Sequence, residues 1–316
     1  MQRRFVTSRL TLAILLSGAL LLWVVFAILD ENRGADVKAL MFLPEWVRTG
    51  LSFVVYIAAA FITNSFVVIE DRAPWIGGLL MWLTAVCFFV QESLFLPLSL
   101  LALLIVLTLA LSCYRRPNVQ LWVYSTFALF SLLALFVPCS VYLFPLFFVY
   151  MALTEVFCIR NILAALLGVL TPLWMLYCLS FIIDSTGLFL VISLQKIGAV
   201  MQLSLLQPTL PSILLLTTEA LIMFPCAVAF ARSGSPAKPL MRKMLTFFIM
   251  MGIFLWLITF VRSSDFSLLL VWRLPALSIM TAYLFTLKIN RFTNICFIII
   301  NTLFIAIAAL GIWSLI

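Results

Sequence analysis

LTLAILLSGALLLWVVFAIL, residues 10–29, runs for twenty residues without a charge, and its reading decides the fold. At about 1.5 Å per residue, a helix of this length crosses the roughly 30 Å hydrocarbon core of a bilayer. The basic stretch MQRRFVTSR ahead of it also fits the start of a secretory signal. A signal carries an apolar core of roughly 7–15 residues followed by a small-residue cleavage site, and this stretch matches neither feature. The reading is therefore a retained anchor and first span.

Working outward, similar runs recur to the end of the chain. Of the 316 residues, 66% are hydrophobic and only 9% are charged, and the mean hydropathy is +1.27. A water-soluble domain of this size carries about 25% charged residues to solvate its surface. This chain can cover itself only in lipid. Barrel strands would alternate polar and apolar residues over about 10 positions, and the runs here do not alternate. The expected fold is an all-α integral membrane protein with eleven spans. They fall near 10–29, 50–69, 75–91, 94–113, 120–137, 142–158, 162–183, 211–231, 244–261, 266–287 and 292–314. The breaks EDRAP, YRRPN, PCSVYLFP and SGSPAKP place charge or proline where a helix should stop. No linker, low-complexity tract or internal repeat divides the chain, so residues 1–316 read as one membrane domain.

With the N-terminus in the cytoplasm, 13 of the 19 Lys and Arg residues fall on the cytoplasmic side, from Arg3, Arg4 and Arg9 to Lys288 and Arg291. That bias sets an N-in, C-out topology. The net charge of +8 then reads as anchoring to anionic lipid headgroups, with no nucleic acid as a partner. LFLVISLQKIGAVMQLSLLQ, residues 188–207, is apolar enough to mimic a span. A crossing there would move the basic RSGSPAKPLMRK segment outside, so 184–210 is read as interfacial or re-entrant on the outer side. The ALMFLPEWV portion of the first outer loop is expected along the membrane surface, with Trp46 at headgroup level.

Histidine is absent, which removes His-ligated metals, Ser–His and Cys–His nucleophiles and imidazole relays. The seven cysteines include no C-x-x-C pair and read as small buried hydrophobes. No metal and no cofactor is expected.

Ionisable residues at membrane depth are costly and so become functional candidates. Glu219, in LLLTTEALIMF, is the one acid well inside a span, and Arg273, in VWRLPAL, is the one base. Both fall about 10–12 Å below the outer ends of their helices, in spans flanking a common neighbour. They are expected to pair, either as a staple or as a site where Arg273 holds an anionic group such as a lipid-linked phosphate. Pro275 should free a backbone carbonyl for the guanidinium. Asp30 and Glu31 form a second candidate. A carboxylate near the headgroup plane could deprotonate an acceptor hydroxyl while a leaving phosphate stays anchored in lipid. Asn161 reads as a helix N-cap, and Arg262 with Asp265 as a local pair across a short outer turn.

The block SLFLPLSLLALLIVLTLALSCYRRPN, residues 93–118, and the block FVPCSVYLFPLFFVYMALTEVFCIRNILAALLGVLTPLWMLY, residues 136–177, carry a resemblance. With the RN-x-LAALLG-x-L-x-P run at 160–172, they resemble an uncharacterised family of bacterial polytopic inner-membrane proteins, over about residues 50–185. The resemblance implies a helical membrane fold and a bacterial inner membrane, and no catalytic residues. Separately, Asp30-Glu31 just beyond the first span is similar to the acidic base of membrane glycosyltransferases that use polyprenyl-phosphate sugars, although the loop here is shorter. Three functions follow: cell-envelope biogenesis on a lipid-linked precursor at the outer leaflet, a structural or partner subunit among other membrane proteins, and a transporter or flippase. Membrane lipids are the expected partners throughout.

Overall fold

The computed structural model describes residues 9–30, 45–66, 75–87, 94–114, 118–183, 210–232, 239–286 and 291–315. Among them are eleven α-helices: α1 (Arg9–Asp30), α2 (Glu45–Ser65), α3 (Trp75–Val86), α4 (Phe95–Ser112), α5 (Val119–Phe136), α6 (Phe144–Leu153), α7 (Ile159–Ile183), α8 (Leu210–Arg232), α9 (Pro239–Val261), α10 (Phe266–Thr286) and α11 (Arg291–Leu315). Short 3₁₀ turns precede α6 at Pro138–Leu143 and α10 at Ser263–Asp265. Counted over the residues whose side chains are described, seven helices, α2, α4, α5, α7, α8, α9 and α10, are long and apolar enough to cross a membrane. The chain is a multi-pass, all-α membrane protein.

Besides α3, which ends at Val86, and α9, which starts at Pro239, two helices depart from the expected spans. The first, α2, begins at Glu45, so Trp46 belongs to its opening turn instead of a surface segment. The second, α6, has only 10 residues, about 15 Å, half of what a crossing needs. Its limits are local. A 3₁₀ turn opened by Pro138 occupies its front, and the helix stops in a Schellman motif. There Val156 N–H bonds Met151 C=O at 3.0 Å, and Glu155 N–H bonds Ala152 C=O at 3.2 Å. The motif holds Glu155 at φ 61°, a left-handed conformation that costs a side-chain-bearing residue about 1–2 kcal/mol. Glu155→Gly is therefore expected to raise stability by up to about 1 kcal/mol, net of glycine's extra unfolded-state freedom, and Glu155→Ala should give no such gain. Thermal unfolding in detergent checks this. The expected interfacial segment at 184–210 lies outside the described residues, apart from its last residue, Leu210, which opens α8.

The chain forms two compact units, residues 1–101 with 206–316, and residues 102–205; α4 contributes to both. In the first unit α10 is the central helix, packing against α3, α8 and α9. Its span is 94% buried, against 28–50% for α2, α8 and α9. A helix enclosed by protein can carry groups that lipid would not tolerate. This one holds Arg273, Ser278 and Thr281, all fully buried. A small residue sets the close crossing of α3 on α2 in the same unit. A Cβ on Gly77 of α3 would sit 2.9 Å from the Ala60 carbonyl oxygen of α2. The indole of Trp272, itself fully buried, donates from Nε1 to Ser99 Oγ at 3.1 Å, tying α10 to the start of α4. Trp256 Nε1 likewise donates to the Leu216 carbonyl at 3.2 Å, joining α9 to α8.

The second unit is organised by α5 against α7. Tyr124 donates to Thr171 Oγ1 at 3.0 Å, and Ser131 to the Val169 carbonyl at 3.0 Å. Between these bonds lies Gly168, where the two backbones nearly touch. Phe127 and Phe130 of α5 meet Phe144 and Phe147 with ring centroids 4.8–6.2 Å apart. Asn161 is not a cap. It is the third residue of α7, and its Nδ2 donates back to the Val156 carbonyl at 2.6 Å; the Cys158 carbonyl accepts the first helical bond. Cysteine burial also varies, since Cys87, Cys113, Cys139 and Cys226 are buried but Cys158 and Cys178 are exposed.

Candidate functional site

Most of the described serine and threonine hydroxyls in the α-helices bond within their own helix, Ser131 being an exception. Thr218 donates to the Leu215 carbonyl at 2.7 Å, Ser278 to the Pro275 carbonyl at 2.8 Å, and Thr281 to the Leu277 carbonyl of its own helix. A hydroxyl can do this because the carbonyl three or four residues back lies within its reach, and no tertiary partner is needed. A guanidinium and a carboxylate cannot be satisfied within one helix in this way. They must find each other across helices.

The structure brings Arg273 and Glu219 together. Arg273 Nη1 lies 3.0 Å from Glu219 Oε2, with side chains 0% and 3% exposed. Arg273 is seven residues into α10 and Glu219 nine into α8, so both lie well inside helices that pack directly together. Distance is satisfied but direction is not. The N–H vectors do not aim at the carboxylate as a hydrogen bond requires, and the contact is an ion pair held by charge alone. Among the described residues, Arg273 Nε and Nη2 and both Glu219 oxygens have no hydrogen-bonding partner. The carbonyl that Pro275 was expected to offer Arg273 is not used: α10 runs unbroken through the proline, and the guanidinium turns to α8 instead.

One further polar side chain lies near this pair and a second lies near that one, and neither stood out in the sequence. Cys87, just beyond α3, is buried and lies within electrostatic range of both Glu219 and Arg273. Tyr56 of α2 is fully buried, interacts electrostatically with Cys87, and its hydroxyl has no hydrogen-bonding partner among the described residues. Its ring packs on Trp23 of α1 at 5.6 Å. A tyrosine inside the apolar run VVYIAAAF was the available signal, because a buried hydroxyl needs a reason to be there. The result is one acid, one base, one thiol and one phenol in the interior of the first unit.

Asp30 is the last residue of α1, and Glu31 lies outside the described residues. The expected pairing of Arg262 with Asp265 is present and tighter than an exposed turn would give. Both Nε, at 3.1 Å, and Nη2, at 2.7 Å, donate to Asp265 Oδ2. Arg262 is buried and its partner is 19% exposed, so the bridge staples the turn between α9 and α10. That turn sets where α10 starts, and with it the depth of Arg273.

No family model, no functionally characterised protein and no solved structure matches this chain.

Proposed function

We propose that this protein works in bacterial cell-envelope biogenesis, holding or transferring a lipid-linked anionic precursor in the outer leaflet of the inner membrane. The observation that carries the reading is the state of Arg273. It is a guanidinium on the most enclosed helix, charge-paired on one side and with donors unengaged on the other. A pure staple gains from having every donor satisfied, since each unsatisfied buried polar group is costly. Donors left over at depth are what a phosphate needs, because the planar fork of arginine matches two phosphate oxygens at once. The reading keeps eleven crossings, with α6 completed by the 3₁₀ turn before it into one helical stretch, Pro138–Leu153, and the N-terminus inside, supported by the basic residues on one side. In that frame the pair lies in the outer half of the bilayer. If the reaction is transfer, Asp30 or Glu31 acts as the base on the acceptor hydroxyl.

The test uses purified protein in phosphatidylcholine nanodiscs doped with dihexadecyl phosphate, a phosphodiester anchored by its own chains. Wild type should bind it, and Arg273→Gln should lose at least about tenfold in affinity, the equivalent of one charge-assisted hydrogen bond. Equal binding by both proteins would remove the reading. The complete burial of Arg273 favours a second reading, an internal staple joining α8 to α10 in a structural subunit. Under that reading neither protein binds the lipid specifically.

A further inference from the structure

We infer that an anion reaches Arg273 only together with a proton on Glu219, so that the site takes up its ligand and one proton as a unit. This inference rests on the anion-holding reading of Arg273 given above and specifies how that site is controlled.

The argument is one of charge and space. At rest the pair is neutral, one guanidinium against one carboxylate 3.0 Å away, both almost wholly excluded from the surface. Adding a monoanionic phosphodiester would leave a net charge of −1 in an apolar interior, where an uncompensated ion is disfavoured. A proton on Glu219 restores neutrality. It also abolishes the ion contact, so Arg273 can turn its Nη1 edge from the carboxyl to the phosphate. The atoms balance: water supplies the proton, the carboxylate becomes a carboxylic acid, no covalent bond to the ligand forms or breaks, and release reverses each step.

Among the described residues the surroundings offer no other group for this role; Cys226, two turns along α8, is buried and has no electrostatic contact with the pair. On α10 the facing charge is Arg273 itself, and its remaining described titratable group, Tyr283, is on a later turn toward Phe230. Just beyond α3 is Cys87, and α2 carries Tyr56, which interacts with Cys87; a thiol and a phenol are ordinarily neutral near pH 7. The charged residues of α9, Arg242 and Lys243, lie in its first turn, and the described side chains of α11 include no titratable group. Glu219 is the one carboxylate that interacts with Arg273 among the described residues. The packing around it can yield, since Met223, one turn along α8, and Met280 of α10 meet at Gly252 of α9 through flexible thioether ends.

The experiment measures binding of dihexadecyl phosphate in phosphatidylcholine nanodiscs between pH 5 and pH 8, where this diester keeps a single negative charge. For wild type, the apparent Kd should weaken by about tenfold per pH unit wherever free Glu219 is ionised and bound Glu219 is protonated. A pH-indicator dye should report one proton taken up per lipid bound. Glu219→Gln carries a permanently neutral amide, so its binding should be pH-independent and match the wild-type low-pH limit. Dimethyl phosphate, the same headgroup without chains, distinguishes the source: equal binding assigns the site to a free phosphodiester, and much weaker binding to a lipid-anchored one. If wild type binds neither diester at any pH, the anion-holding reading itself falls. Binding that is pH-independent and takes up no proton leaves that reading standing and overturns the coupling. Proton uptake is read on wild type, so the inference stays testable even if Glu219→Gln does not fold.

Discussion

Arg273→Met alone is expected to lower the unfolding free energy by about 3–5 kcal/mol, the range for removing one partner of a buried ion pair. The loss comes from what stays behind. Without the guanidinium, the Glu219 carboxylate remains in an interior that excludes water, with no described hydrogen-bond donor to it. Glu219→Met should cost a similar amount by stranding the guanidinium. The double variant, Arg273→Met with Glu219→Met, should recover most of both losses, because two unbranched apolar side chains of comparable length suit an apolar site. Reversible unfolding in mixed micelles, run on all four proteins, measures the coupling directly. Losses that simply add would show that the two residues share no energy despite their 3.0 Å contact. The double variant also separates stability from binding. A refolded, stable protein that no longer takes a phosphodiester assigns to the pair a role that packing cannot supply.

The second large effect belongs to Gly168. An alanine there would put its Cβ 2.5 Å from the Tyr124 carbonyl oxygen and 3.1 Å from the Ala128 backbone nitrogen. Backbone cannot swing aside, so α5 and α7 must separate. The Tyr124–Thr171 and Ser131–Val169 bonds that cross the same seam would then lengthen. Gly168→Ala is expected to cost roughly 1–3 kcal/mol and Gly168→Val more, as for overpacked cores. Gly252→Ala comes too close to the Met280 Cε at 2.7 Å and the Met223 Sδ at 3.3 Å, side-chain ends that can rotate away, while the Ala276 Cβ at 3.8 Å is an ordinary contact. Its cost should be well below that of Gly168→Ala. Gly50→Ala meets nothing within 4 Å and should be neutral or gain up to about 1 kcal/mol in helix propensity. Melting temperatures in one detergent rank the three. Equal losses at Gly168 and Gly252 would contradict the distinction between rigid backbone and mobile thioether.

Much of the fold was legible because lipid imposes a coarse rule. An apolar stretch in a bilayer must satisfy its backbone internally, so length and hydropathy alone mark a helix. The bounds of α5, α8 and α10 were therefore readable to within two residues from the sequence. Where the rule is incomplete, the reading slipped. α6 looked long enough to cross, because hydropathy does not register that Pro138 opens a 3₁₀ turn or that the chain stops in a Schellman motif at Glu155. Asn161 looked like a cap because side-chain chemistry suits either direction; the three-dimensional turn before α7 decided that it bonds backward to Val156.

Arg273 and Glu219 could be matched in one dimension, since a lone acid and a lone base at similar depth have strong reason to meet. Their orientation could not. Whether a guanidinium engages its partner with two aimed N–H groups or only by charge depends on helix rotations of a few degrees, and these come from packing on all sides of α10. The same holds for Cys87, whose place near the pair depends on how α3 lies against α10, and for Tyr56, which reaches Cys87 through the packing of α2 on α3. Composition by itself determined the solvent of this protein, because 9% charged residues cannot clothe a 316-residue chain in water. Tertiary structure alone decided which helix would be shut away from lipid, because that depends on how many neighbours surround a helix. On α10, the enclosed one, an arginine could be kept at depth with donors to offer.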